Sequence, residues 1–386
     1  MTTDPHDLPR AHFNHAGASI PPSEVVDRIV RHLELEGEIG GYEAAEAVAD
    51  ELDRMAGSLG ALVGAPPGDV LPVESATRAW EQVLWALALS RRWGSGDRVV
   101  VDQFAYASSW ATLLRLRDAV GVEIGVAPSR ADGSIDPSRV DEAVDTRTRL
   151  VLATHVPTHV GTVSDVAALG AALAGRDLVF VVDLAQSLGQ LPIDVAAIGC
   201  QMAFAPGRKF LRAPRGTGLL HLDAAVADSI EPLAVDLTTA TTIEPKGYRL
   251  APGVARFGLF EHSVALRLGL GVAAQVALSR GLERISREVQ DRTAAVIELV
   301  QAAPGFGLLT PPPLSGIVTI VHDRLTPDAV RDQLASRGVN AWVAELGGSP
   351  LDQEDRLPRA GLRLSPHYVT SDDELDRLDR ALRAVA

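Results

Sequence analysis

The chain carries 36 basic residues, and all but Lys209 and Lys246 are arginine. Where arginine is so strongly preferred, a lysine marks a task that a guanidinium cannot perform, and imine chemistry is one, because guanidinium stays protonated. Lys209 follows the apolar run Met202–Ala205, in Ala205-Pro206-Gly207-Arg208-Lys209-Phe210. About two dozen residues earlier the run Val179-Phe180-Val181-Val182 ends in Asp183, followed by Leu184-Ala185-Gln186. An acid closing one buried strand and a lysine at the tip of the next suit a site for a pyridine ring. The acid would hold the ring nitrogen protonated and the lysine would form an imine with a ring aldehyde. Lys246, in Glu244-Pro245-Lys246-Gly247, reads as a loop cation.

Other stretches could serve the same ring. Glu74-Ser75-Ala76-Thr77 precedes a helical pattern, and a helix start with small and hydroxyl residues receives phosphate through free backbone N–H groups and the helix dipole. An ordinary Ser cap would look the same. Phe104-Ala105-Tyr106 follows the run Arg98–Val101 and offers a ring for stacking, although core packing explains it equally well. Thr154 to Gly161, with Thr158 and His159, offers polar groups to a ring oxygen. Arg363, inside the alternating Leu362-Arg363-Leu364-Ser365-Pro366-His367, has the planar fork that grips a carboxylate. Cys200 reads as a small buried residue.

The elements that must position these groups follow from patterning. Seven short apolar runs, Val70–Val73, Arg98–Val101, Val122–Ala127, Leu150–Thr154, Leu178–Val182, Met202–Ala205 and Gly218–Leu222, alternate with helical stretches. They predict an α/β fold with a mostly parallel, doubly wound sheet whose strand ends carry the site. Before them, Ser23 is expected to cap a helix reaching about Glu38, and a second helix is expected over Ala44–Val63. After them, residues 222–260 read as loop, a long helix runs from Glu261 to Leu278 and resumes to Ala302, and residues to the end form a small α+β unit. The division expected is an N-terminal segment 1–40 packing with the small unit, a large domain 41–260 and a small domain 261–386.

Length permits two domains and a large core. A formal charge of -14 with no basic stripe argues against nucleic acid. One cysteine excludes an internal disulfide framework, and no Cys/His cluster suggests a metal. The polar start Met1–Arg10 lacks a signal-peptide core, and no apolar run approaches a bilayer span, so a soluble cytoplasmic protein is expected.

Taken in this order, the segments resemble the class V aminotransferase branch of the fold-type I pyridoxal phosphate (PLP) enzymes, over nearly the whole chain. The resemblance implies a fold-type I transferase with Lys209 as the imine-forming lysine and Asp183 as the partner of the ring nitrogen. Gln186 would bond near the ring oxygen, Ala185 would pack beneath the ring and Tyr106 would stack over it. Ser75, Ala76 and Thr77 would take the phosphate, and Thr158 or His159 would stand near the ring oxygen. Arg363 would hold the substrate α-carboxylate, with Asn14, His15 and Ala16 close by. The segment Phe257–Ser263, with Glu261 and His262, would reach the cofactor phosphate of a partner subunit, which implies a homodimer with shared sites.

Two departures from the branch bear on activity. Pro206 stands where a phosphate-binding serine is common, leaving Arg208 or the partner chain to compensate. The stretch 343–358, where cysteine desulfurases carry their persulfide cysteine, has no cysteine. Three matches, Gly40–Glu46, Arg208–Leu211 with Pro214-Arg215-Gly216, and Leu362–His367, resemble the carbon–sulfur lyase of ergothioneine biosynthesis. They equally resemble cysteine-conjugate lyases of actinobacterial secondary metabolism, such as antibiotic assembly of the lincosamide type. The expected reaction is β-elimination from an S-substituted L-cysteine or its sulfoxide, giving a thiol, pyruvate and ammonia. Decarboxylation coupled to oxidative deamination, and transamination, are the alternatives on this scaffold.

Overall fold

The computed structural model describes residues 10–309, 315–345, 349–351 and 360–385. The first nine residues of the polar start, and most of the cysteine-free stretch 343–358, lie outside the described residues.

All seven expected strands form one sheet, in the spatial order Val70–Val73, Gly218–Leu222, Met202–Pro206, Val179–Asp183, Thr148–Thr154, Arg98–Val101, Glu123–Val126. Gly218–Leu222 runs antiparallel to both neighbours and the remaining pairs are parallel. Both faces are covered, as a parallel sheet requires. Val99 and Val101 join one core while Val100, pointing the other way, joins the second. The core that holds Val100 is closed by Leu270, Ala273, Ala274 and Ala277 of the helix Val264–Arg280, which also packs against the helices Ser23–Ile39 and Ala49–Val63.

A four-stranded antiparallel sheet, ordered Phe306–Leu308, Val318–His322, Ala360–Leu364, Trp342–Glu345, carries the helices Leu282–Ala302, Pro327–Ala335 and Asp372–Val385. The N-terminal segment is stitched to this unit. Ala11–His12 pairs parallel with Val339–Asn340, and Asn14 bridges Ser365.

Four details differ from the sequence expectation. Ser23 is the first helical residue behind Pro22, not a cap, and its hydroxyl faces Glu24 at 3.2 Å. The helix expected over Ala44–Val63 is two, Gly41–Glu46 and Ala49–Val63, because Val48 leaves helical geometry (φ -116, ψ 12). The long helix starts at Val264, where the Ser263 hydroxyl accepts from Leu266 N–H, leaving Glu261 and His262 before it. Within the expected loop 222–260, Ala240–Glu244 and Gly247–Leu250 form a hairpin across Pro245-Lys246. Its strands are mostly exposed, so no apolar alternation betrays them.

Three buried histidines give the fold an acid sensitivity. Burial lowers His155 to about 4 and His367 to about 3, and it holds His15 well below its ordinary value, so all three stay neutral in the folded chain. Once unfolded they would take up protons below about pH 6.5. In that window the unfolded state binds more protons, so stability falls as pH drops from about 6.5 towards the folded values. Urea midpoints measured at pH 7.5 and 5.0 should show a clear loss at the lower pH; equal midpoints would contradict this.

Candidate active site

Lys209 sits just past the end of strand Met202–Pro206, in a turn held by backbone bonds from Gly207 to Thr217 and from Arg212 to Lys209. It is buried, and burial lowers its ammonium to about 7, against the raising effect of Asp183; Arg208 and Arg363 add to the lowering. Asp183 closes the neighbouring strand, equally buried. Burial raises its carboxyl, opposed by the Ala185 N–H it accepts at 2.8 Å and by Lys209. These two groups share a cavity of about 290 Å³, lined also by Ser75, Ala76, Thr77, Tyr106, Thr158, Ala185, Gln186 and Arg208.

One end of this cavity is built for an anion. Ser75 caps the helix Ala76–Ser90, its hydroxyl accepting from Arg78 N–H at 3.1 Å, so the capping and the phosphate readings of this serine are compatible. The helix Ala107–Val120 begins at the same cavity and adds Ser108 and Ser109; the Thr77 hydroxyl donates to Ser108 Oγ at 3.2 Å. Glu74, Arg215 and Thr217 complete this end. Pro206 lines it and offers no donor, whereas Arg208 and Arg215 have no ion-pair partner among the described residues.

A second cavity, about 480 Å³, joins the first through Tyr106, Thr158, Arg208, Lys209 and Arg215. Arg363 lines it, its terminal nitrogens donating to the Thr158 carbonyl and hydroxyl, both at 2.8 Å, and to Asn14 Oδ1 at 3.2 Å. Ala16, Gly17, Arg331 and Trp342 also face it. Tyr106 stands over the lysine, with Lys209 Nζ 5.8 Å from its ring centroid.

Four expected residues fall outside both cavities. His159 is buried edge-on to Phe104, and its carbonyl takes the Thr319 hydroxyl, so Thr158 alone of that pair faces the site. His15 turns inward, bonding Ser19 Oγ at 2.9 Å and packing against His12 and His367. Glu261 is exposed, and His262 lines only a small adjoining cleft with Glu74 and Thr217. Sequence reasoning missed Ser108, Ser109, Arg215, Arg331 and Trp342. The hydroxyl-rich helix start Ala107-Ser108-Ser109 carries the same signal as Ser75–Thr77 and marks the first two. Among the described residues, no group of three His, Cys, Asp or Glu could hold a metal ion, and no helix is long and apolar enough to cross a membrane.

Comparison with known proteins adds the family. Residues 11–378 match the family described as aminotransferase class-V. The chain belongs to the class V aminotransferases. This class V chain is 30% identical over 314 residues to a probable cysteine desulfurase of Methanothermobacter thermautotrophicus, covering 80% of this chain and 78% of the relative. It is 28% identical over 382 residues to a probable hercynylcysteine sulfoxide lyase of Mycobacterium tuberculosis, covering 97% and 89%. Among solved structures, the cystine C-S lyase C-DES with its product cysteine persulfide superposes with a TM-score of 0.86 at 21% identity, covering 98% of each chain. The apo cysteine desulfurase of Thermococcus onnurineus gives a TM-score of 0.86 at 20% identity, covering 97% of this chain and 94% of the other.

The fold is therefore that of the fold-type I PLP enzymes, and the cofactor of this class V enzyme is pyridoxal phosphate. The residues present fit it: a buried carboxylate for the ring nitrogen, a buried near-neutral lysine for the aldehyde, and a helix start with two arginines for the phosphate.

Proposed function

We propose that this enzyme cleaves the Cβ–S bond of an S-substituted L-cysteine, taking up one water and releasing a thiol, pyruvate and ammonia. The observation that carries the reading is Lys209 placed between Asp183 in the cofactor cavity and Arg363 in the adjoining one. When bound, the cofactor supplies an electron sink for the Cα carbanion. Arg363 takes the substrate α-carboxylate, which aims the Cα–H bond towards Lys209. Lys209, holding its proton only weakly near neutral pH, would take the Cα proton at Nζ. Asp183 keeps the ring nitrogen protonated, and the thiolate departs into the second cavity. Among the described residues that cavity has no acidic lining residue, which suits an anionic leaving group.

Similarity to the sulfoxide lyase and the desulfurase supports carbon–sulfur cleavage, and a sulfoxide substrate of the ergothioneine or lincosamide type fits the same geometry. A desulfurase role is disfavoured because the only cysteine, Cys200, is buried, its thiol pushed up to about 12 by burial, and lines neither cavity. The direct test supplies S-ethyl-L-cysteine and its sulfoxide to the PLP-loaded enzyme and quantifies products. Pyruvate with equimolar thiol, or sulfenic acid from the sulfoxide, is expected; aldehyde with carbon dioxide would replace this reading by decarboxylating deamination, and dependence on a keto acid by transamination.

The reading includes a homodimer, supported by the exposed placement of Glu261 beside the cofactor cavity's adjoining cleft. Sedimentation should give about twice the 40.8 kDa chain mass, and a monomer with full activity would contradict shared sites.

A further inference from the structure

The second cavity is larger than the smallest substrate of the proposed reaction requires. At about 480 Å³ it falls in the range that takes a drug-sized ligand, well beyond a cysteine with a short alkyl group on sulfur. Its charge is one-sided. Arg208, Lys209, Arg215, Arg331 and Arg363 line it, and among the described residues no Asp or Glu does. Four of these five are already assigned: Lys209 to the cofactor aldehyde, Arg208 and Arg215 to its phosphate, and Arg363 to the substrate α-carboxylate. Arg331 is not, and neither is Trp342.

Register puts Trp342 beside the carboxylate grip. It lies on the edge strand of the four-stranded sheet, directly opposite Arg363. Residues paired in this way share a face, so the indole stands on the face that carries the guanidinium. It is 56% exposed, although an indole is among the largest surfaces a side chain can bury. Val343 and Ala344 continue that wall of the cavity.

Arg331 arrives from the other face. Its helix, Pro327–Ala335, packs Val330 and Leu334 into the core that holds Leu362 and Leu364, which alternate with Arg363, yet Arg331 still lines the cavity. Its guanidinium is paired with Asp328 at 2.8 Å and Asp332 at 2.9 Å. Both carboxylates are more than half exposed and neither lines the cavity, and exposed pairs of this kind hold weakly. Nε and one terminal nitrogen reach Asp332 and the other terminal nitrogen reaches Asp328, so two of the five N–H donors remain for a ligand.

A flat wall with a cation beside it recognises a flat group that carries an anion. We propose that Arg331 and Trp342 form a subsite for the substituent on sulfur, and that the preferred substrates are L-cysteines whose substituent is a bulky aromatic or apolar group bearing a carboxylate. This rests on the reading of the enzyme as a carbon–sulfur lyase with Arg363 on the α-carboxylate. A cationic substituent is rejected by the same wall, since like charges set face to face select against the wrong ligand. The thiol released is then a mercapto acid.

Three S-benzyl-L-cysteines decide this, one unsubstituted, one with a 4-carboxylate and one with a 4-aminomethyl group, because charge varies among them while the scissile bond does not. With the PLP-loaded wild type, kcat/KM for the carboxylate should exceed that for the unsubstituted compound by at least roughly 10-fold, the lower end for a hydrogen bond to a charged group. The ammonium compound should be poorer than either. Arg331→Gln should lose the preference for the carboxylate, and Arg331→Lys, which keeps a cation, should retain part of it and serves should the glutamine variant fail to fold. Trp342→Ala should lower kcat/KM for both the unsubstituted and the carboxylated compound relative to S-ethyl-L-cysteine. Ratios between substrates on one enzyme cancel any general damage to the fold. Equal use of the three compounds by the wild type would overturn the proposal. So would a carboxylate preference that survives intact in Arg331→Gln, because the anion would then sit on another arginine. Calorimetric binding of the same three compounds with a methylene in place of sulfur needs no bond cleavage. A carboxylate preference there without pyruvate from the sulfur compounds would sink the proposed reaction and leave the subsite standing.

Discussion

Replacing Lys209 by alanine is expected to abolish the visible absorbance change that accompanies imine formation and to lower elimination by at least about 10³-fold, within the range for loss of a positioned general base. Two roles disappear together, anchoring of the cofactor aldehyde and removal of the Cα proton. The burial that lowers Lys209 to about 7 is what fits it for the second role at neutral pH. Added ethylamine should restore a measurable fraction of activity to Lys209→Ala, because a small amine can enter the vacated space and carry a proton. A variant that forms pyruvate at the wild-type rate would remove Lys209 from the mechanism. A variant that merely fails to bind cofactor is recognised by amine rescue being absent even at saturating pyridoxal phosphate.

Asp183→Asn is expected to be nearly as damaging, with turnover reduced by roughly 10²- to 10³-fold, a scale typical of losing a preorganised charge. Asparagine can accept the Ala185 N–H that Asp183 accepts now, so the turn should survive. It cannot keep the ring nitrogen protonated, and the electron sink is lost with the charge. The variant has a second signature. Asp183 opposes the lowering of Lys209, so its neutralisation lets the Lys209 value fall further. The acid limb of the pH–rate profile, set by the base having to be unprotonated, should therefore move to lower pH in Asp183→Asn. An unchanged limb would mean that Lys209 is not the base whose titration controls the rate.

The residues proposed to carry this chemistry stand out because the sequence isolates them. Lys209 stands out among arginines, and Asp183 and Arg363 interrupt apolar runs whose period fixes which face they occupy. The strands were legible for the same reason, being short and continuous apolar runs, all largely buried except Glu123–Val126 at the sheet edge. What escaped was whatever depends on tertiary approach. His15 and His159 lie beside residues that do face the site, and only the packing of His12, His367 and Phe104 turns them inward. Arg331 and Trp342 belong to a helix and a strand of the small unit with no local mark of function. The hairpin at residues 240–250 carries polar residues on both faces, so periodicity had nothing to report. Glu261 and His262 would show their worth only against a second subunit.

The stitching of the N-terminal segment to the small unit has a consequence for how the enzyme comes into being. Asn14 and Ala16 leave the ribosome well before their partners Arg363 and Ser365, 349 positions earlier in the Ala16–Ser365 pair. The large sheet can assemble during synthesis, since its strands end at Leu222. The proposed carboxylate site cannot, because its two halves lie in sequence on either side of the whole large sheet. A nascent chain that has completed its large sheet thus lacks the proposed grip on an amino acid until Arg363 has been made, and removal of the segment that carries Asn14 should weaken that grip permanently.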